Sequence, residues 1–193
     1  MLQRLVSHWV YGGALAGVLL LALSPLLLAG WPAPLAATFL LLPAYMLHQF
    51  EEHDDDRFRR HFNATMGKGR EALTPLVVFI TNLPGVWGVI ALSLYAAAHW
   101  GIGWALVAAY LVLVNAVVHI VHGVVFRGYN PGLGTAIAIF LPLGGATVAL
   151  VDGAGGGTPA MHATGLVAAV LVHAAILAHV RRRLSTLQPQ ATA

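Results

Sequence analysis

The 193-residue chain contains no cysteine. That absence excludes a disulfide framework, a thiolate zinc site, a cysteine nucleophile and a cysteine-held iron–sulfur cluster, so any metal must take histidine, carboxylate or amide ligands. Charge is scarce as well, at 9% of residues against about 25% in soluble domains. No polar stretch is long enough to fold as a separate soluble domain. Apolar sequence fills the chain instead, with 59% hydrophobic residues and a mean hydropathy of +0.79. The net charge of +3 does not point to nucleic acid, because the basic residues fall where membrane topology places them.

Six apolar runs, at about 8–30, 35–52, 73–98, 101–123, 133–151 and 160–180, approach the roughly 20 residues that cross a hydrocarbon core. The expectation is an all-α polytopic bundle of six transmembrane helices, with residues 1–193 as one membrane domain. Turn chemistry supports the breaks at Gly30 to Pro34, at Tyr129-Asn130-Pro131-Gly132 and along the glycine-rich stretch from Asp152 to Pro159. Pro25, Pro43, Pro84 and Pro142 fall inside spans and are expected to kink or open them. The first run is expected to be a retained helix, since Val10 to Leu28 exceeds the 7 to 15 residues usual for a signal-peptide core.

Basic residues occur before the first span (Arg4), after the second (Arg57, Arg59, Arg60, Lys68, Arg70), after the fourth (Arg127) and after the sixth (Arg181, Arg182, Arg183). The other connections carry none. The positive-inside rule then makes both termini cytoplasmic, and the expected location is a bacterial inner (plasma) membrane.

Ionisable side chains at membrane depth cost about 2.5 to 3.5 kcal/mol each and need a reason. The second span ends His48-Gln49-Phe50-Glu51-Glu52-His53. At 100° per residue, Glu51 lies about 60° to one side of His48 and Glu52 about 40° to the other, so both carboxylates can flank the imidazole. Asp54, Asp55 and Asp56 point in three directions and suit a solvated edge paired with Arg57, Arg59 or Arg60. The fourth span carries Asn115, His119 and His122 within an arc of about 60°. By topology these groups share the cytoplasmic half with Asn82 and His173, which lie about 12 to 14 Å deep. His173 is balanced between ligation and a bond to a neighbouring carbonyl. His53 and His61, near span ends, are expected to be exposed, although His53, Tyr45 and Arg127 also qualify as site members. Trp9 suits interface anchoring and Trp87 a cavity wall.

At these residues the chain resembles the membrane family named for its HxxEE motif, here His48-Gln49-Phe50-Glu51-Glu52. The family's NxxxH motif is matched by Asn115 to His119, and its histidine leading to a YxPG turn by His122 and Tyr129-Asn130-Pro131-Gly132. The resemblance implies an enzymatic role and no particular substrate.

Imidazoles and carboxylates suit a divalent metal, zinc ahead of iron, as one or two ions. His48, His119, His122, Glu51 and Glu52, with His173, are the candidate ligands, more than the three that a catalytic zinc usually takes beside water. In the favoured mononuclear arrangement His48, His119 and His122 hold the ion and Glu51 or Glu52 takes a proton from water, which describes a hydrolase acting on a lipid or other amphiphilic substrate. Asn115 would orient groups or donate to an oxyanion, and Tyr129 would act as an acid or touch headgroups. The alternatives are a di-iron oxygenase or hydroxylase with bridging carboxylates, and a proton-coupled transporter or relay. Only Ser24, Thr38, Ser93, Thr147 and Thr164 are available in the far half to line a transport path.

The absence of cysteine makes the orientation directly testable. Ala154→Cys should react with an impermeant maleimide on intact cells, and Lys68→Cys only after permeabilisation; the reverse pattern overturns the assignment.

Overall fold

Two of the spans begin with a threonine cap followed by proline. Thr74 and Thr158 accept from the N–H groups of Val77 and Met161, at 3.3 and 3.2 Å, while Pro75 and Pro159 occupy a first-turn position that needs no N–H. The structure, a computed structural model, describes residues 1–187. Its helices are α1 (Leu2–Leu27), α2 (Ala33–His53), α3 (Arg57–Thr65), α4 (Pro75–His99), α5 (Ala105–Val125), α6 (Leu133–Gly153) and α7 (Pro159–Thr186). Six helical stretches are long and apolar enough to cross a membrane, the second running from Ala33 to Thr65 through α2 and α3, and no strand occurs among the described residues.

The second and fourth spans form the centre. Half of the most apolar stretch of the second is buried and 44% of that of the fourth, against 17% for α1 and α7. α1 packs on α2 and α7 on α5, while α4 and α6 contact both central helices. Leu41, Tyr45, Ile90, Leu111 and Phe140 fill the core between them.

Two features depart from the expected outline. α1 starts near Leu2 rather than residue 8, and α3 appears where only a charged edge was expected. Asp55 and Asp56 adopt left-handed backbone at φ 50° and 58°, which Asp tolerates better than most residues, and this kinks the chain between α2 and α3. Arg57, Arg59 and Arg60 then pair with Asp54, Asp56 and Asp55 respectively. Phe58 and Phe62 fold back on a cluster containing Trp9, Leu73 and Val78. Trp9 is therefore buried in the bundle, not an interface anchor, with its ring 6.2 Å from that of Trp87.

Proline acts at two places. Pro84 lies inside a π-helical segment, Thr81–Trp87, and Pro142 follows another, Ala136–Phe140. A wider turn relieves the clash between the proline ring and the carbonyl four residues back. Pro25 and Pro43 sit inside α1 and α2, which continue through them as α-helix.

Close helix crossings rest on glycine. A Cβ on Gly17 would meet Met46 Cβ at 3.0 Å where α1 crosses α2, and one on Gly165 would meet the Leu106 carbonyl oxygen at 2.7 Å where α7 crosses α5. Gly12 faces open space. Gly17→Ala and Gly165→Ala should each destabilise the protein by about 1–3 kcal/mol. Gly12→Ala should be neutral or stabilising by up to about 1 kcal/mol, and melting temperatures in one detergent compare the three.

Candidate metal centre

His48 and Glu52 stand one turn apart on α2, and His119 faces them from α5. All three are buried, at 0%, 6% and 4% exposure. Glu52 Oε2 lies 3.6 Å from His48 Nε2, and Oε1 lies 3.6 Å from His119 Nε2. These spacings exceed a hydrogen bond. They approach the roughly 3.3 Å that separates donor atoms around a tetrahedral ion with bonds of 2.0–2.1 Å. One donor atom from each residue lies within 4.8 Å of the other two.

Hydrogen bonds on the far side of each ring fix its proton. Thr135 Oγ1 donates to Glu51 Oε2, so it has only lone pairs to offer His48 Nδ1 at 2.8 Å. His48 therefore carries its proton on Nδ1. Asn130 Nδ2 donates to the His119 carbonyl at 2.9 Å, which turns Asn130 Oδ1 to accept from His119 Nδ1 at 2.6 Å. Both imidazoles thus present unprotonated Nε2 atoms toward one carboxylate, and His48 Nε2 is buried with no hydrogen-bond partner. A cation-free arrangement of three acceptors facing one another is unfavourable; a divalent ion satisfies all three.

Glu51 does something else. Its Oε1 accepts from Tyr129 Oη at 2.7 Å and Gly134 N at 3.0 Å, and its Oε2 from Thr135 N at 2.7 Å and from the Thr135 hydroxyl. Four bonds fill a carboxylate's acceptor capacity. Glu51 is the cap of the α6 N-terminus, supplied from another helix, and it reaches His48 only through Thr135. Tyr129 is outside the spans; partial desolvation first, then its bond to Glu51, raises its pKa above the usual phenol value, so it stays a donor at neutral pH.

The remaining residues spread around this centre. His122, expected beside His119, turns instead to His61 of α3, with ring centroids 5.2 Å apart, and stacks on Phe126 at 4.4 Å. The third position of the expected three-histidine set is taken by Glu52. The reason is α3, which offers His122 a neighbour that apolar periodicity did not reveal. His173 Nδ1 donates to the Ala169 carbonyl of its own helix at 2.8 Å. Asn115 stands one turn before His119 and its Oδ1 is buried without a partner.

Behind Glu52 stand His53, Asn82 and Trp87, marked in the sequence as a possible site member, a polar-layer residue and a cavity wall. His53, expected to be exposed, is buried with Nε2 3.1 Å from Glu52 Oε2. Behind it a chain of amides runs from Trp87 Nε1 to Gln49 Oε1 (2.6 Å) and from Gln49 Nε2 to Asn82 Oδ1 (2.8 Å). Asn82 Nδ2 also lies 3.2 Å from His53 Nε2. A cavity of about 160 Å³ opens beside Glu52 and His119.

Gly132 sits against both imidazoles. Its φ is +98°, and a Cβ there would come within 2.7 Å of His119 Cε1 and 2.8 Å of His48 Cε1. Gly132→Ala should displace both rings and lower bound metal at least about tenfold, the scale of a damaged supporting shell. Gly128→Ala, whose nearest contact would be 3.8 Å away, serves as the control.

No curated protein and no solved structure matches the chain. A family model described as a protein of unknown function with HXXEE motif matches residues 39–147, which include His48, Glu51, Glu52, His119, the Tyr129–Gly132 turn and Thr135. With the model spanning more than half of its length, the chain belongs to the HXXEE family.

Proposed function

We propose that this protein is a metal-dependent membrane enzyme that hydrolyses a lipid or other amphiphilic substrate at a site made by His48, Glu52 and His119. The observation that carries this is the pair of Nε2 lone pairs, fixed by Thr135 and Asn130, converging on a buried carboxylate. Two histidines and one carboxylate are a donor set that suits zinc, and a divalent ion bound there supplies Lewis acidity, which lowers the pKa of water toward about 7.

The chain's own groups complete the chemistry. Glu52, held between three imidazoles, supplies the negative charge that keeps a cation. His53 Nε2, within 3.1 Å of Glu52 and on the cavity wall, is the nearest group able to take up and return a proton. Asn115, also on that wall, offers an amide to substrate.

The alternatives lose support on specific contacts. A two-iron site with both carboxylates bridging needs free oxygens on Glu51, and these are all engaged. A transport path needs polar groups across the far half. Ser24, Thr38, Ser93, Thr147 and Thr164 each donate instead to a backbone carbonyl.

Protein purified without chelator should hold about one divalent ion per chain, zinc in the hydrolytic form. His48→Ala, Glu52→Gln and His119→Ala should each lower metal content by about tenfold or more, and Glu51→Gln should retain metal while destabilising the α6 turn. Undiminished metal in the first three, read by elemental analysis, overturns the proposal; iron in place of zinc overturns its hydrolytic form.

A further inference from the structure

The cavity beside Glu52 and His119 is lined by both apolar and polar side chains, and three polar atoms are stranded on residues that line it. His61 Nε2, Asn115 Oδ1 and His122 Nδ1 are buried and have no hydrogen-bond partner. Each such atom costs about 1–3 kcal/mol when left alone, and all three belong to residues that line one cavity, so a ligand there that draws these side chains to itself relieves the cost. Asn115 Oδ1 can only accept, which requires a donor on the ligand; an imidazole nitrogen serves either way. A hydroxyl meets both demands, donating to the amide oxygen while accepting from an imidazole N–H. A carboxylate offers Asn115 Oδ1 nothing and would stand near the buried Glu52.

The opening indicates how the ligand arrives. Val118 on α5 and Leu177 on α7 line the cavity and are also 47% and 50% exposed on the outside of the bundle. Leu177 stands one turn before Arg181, so the rim it shares with Val118 lies just inside the basic end. Residues exposed at that depth on a membrane-crossing helix face hydrocarbon. At about 160 Å³ the cavity matches the ~150 Å³ that encloses a six-carbon ring. It takes a polar tip and the first few carbons of one chain, with the rest left in the bilayer.

We infer that the cavity binds a single-chain lipid whose uncharged end carries a hydroxyl, admitted from the bilayer between α5 and α7 and held by Asn115, His61 and His122. The inference names the ligand class at the proposed enzyme's site, the alcohol that hydrolysis of its ester by water releases beside the acid, and rests on that reading for its chemistry, though not for binding.

The test uses purified protein in phosphatidylcholine nanodiscs and a long-chain alcohol bearing a diazirine, compared with its methyl ether. Labelling by the alcohol should exceed that by the ether about tenfold, the value of one satisfied buried acceptor. Asn115→Leu, with His122→Phe as a second variant, should bring the alcohol down to the level of the ether. Val118→Trp and Leu177→Trp, on the exposed rim, should lower labelling by both probes. Equal labelling by the two probes in the unaltered protein, or labelling indifferent to both tryptophans, overturns the inference. Metal content of the same samples separates the two claims. Selective labelling without metal keeps this inference and removes the enzyme reading, whereas metal without selectivity does the opposite.

Discussion

Burying Glu52 among apolar helices is the constraint on which the rest of this bundle depends. A carboxylate at that depth has to be compensated, and the fold surrounds it with the imidazoles of His48 and His53 from α2 and His119 from α5, a donor set that a cation completes. Such a set takes a cation only when the rings are turned with their Nε2 lone pairs inward. Thr135 and Asn130 fix two of them, and both come from the segment that follows α5. That segment can lie flat against the rings because Gly132 has no Cβ and adopts a positive φ. The YxPG turn and the HxxEE helix are in this sense one structure, since the turn supplies the surface on which the helix's imidazole rests.

Adjacent glutamates take different work because successive residues on a helix point about 100° apart. Glu52, four residues after His48, shares its face and turns inward. Glu51 turns toward the start of α6 and bonds to two backbone N–H groups and two hydroxyls. The two roles remain coupled through the Thr135 hydroxyl, which has one proton and gives it to Glu51, leaving His48 no choice of tautomer. Glu51 thus touches the centre only through that hydroxyl, while its own oxygens stay with the start of α6 and the Tyr129 hydroxyl.

The spans and the helix faces that carry His48, Glu52, Asn115 and His119 were legible in the sequence because each follows from chain-local periodicity. Hydropathy finds a membrane helix without knowing its neighbours, and positions three and four apart share a face whatever packs there. What escaped depends on tertiary partners. α3 is short and strongly charged, and the kink that aims it inward is made by two left-handed aspartates that look like a solvated edge. Without α3, His61 is just a loop histidine and His122 has nothing to face except His119. Thr135 and Asn130 are ordinary polar residues near a turn. Only the approach of the α6 start to the end of α2 makes them decisive, and no spacing rule reaches across the 87 positions between His48 and Thr135.

The two π-helical segments bear on the same geometry. An α-helix running unbroken through residue 84 or 142 would meet the proline ring with a carbonyl one turn earlier, and the wider turn resolves this while rotating the residues before it. One segment carries Asn82, which faces His53 and Gln49; the other ends at Phe140, whose ring packs 4.2 Å from that of His48. The central helices α2 and α5 can stay regular because the irregularity sits in their neighbours. A centre that must hold two imidazoles and a carboxylate in fixed relation is better built on regular helices, with the adjustment made by elements that only touch it. The cavity lies on the side of α5 that faces α3 and α7, where apolar walls and unpaired polar atoms leave room for something the protein itself does not supply.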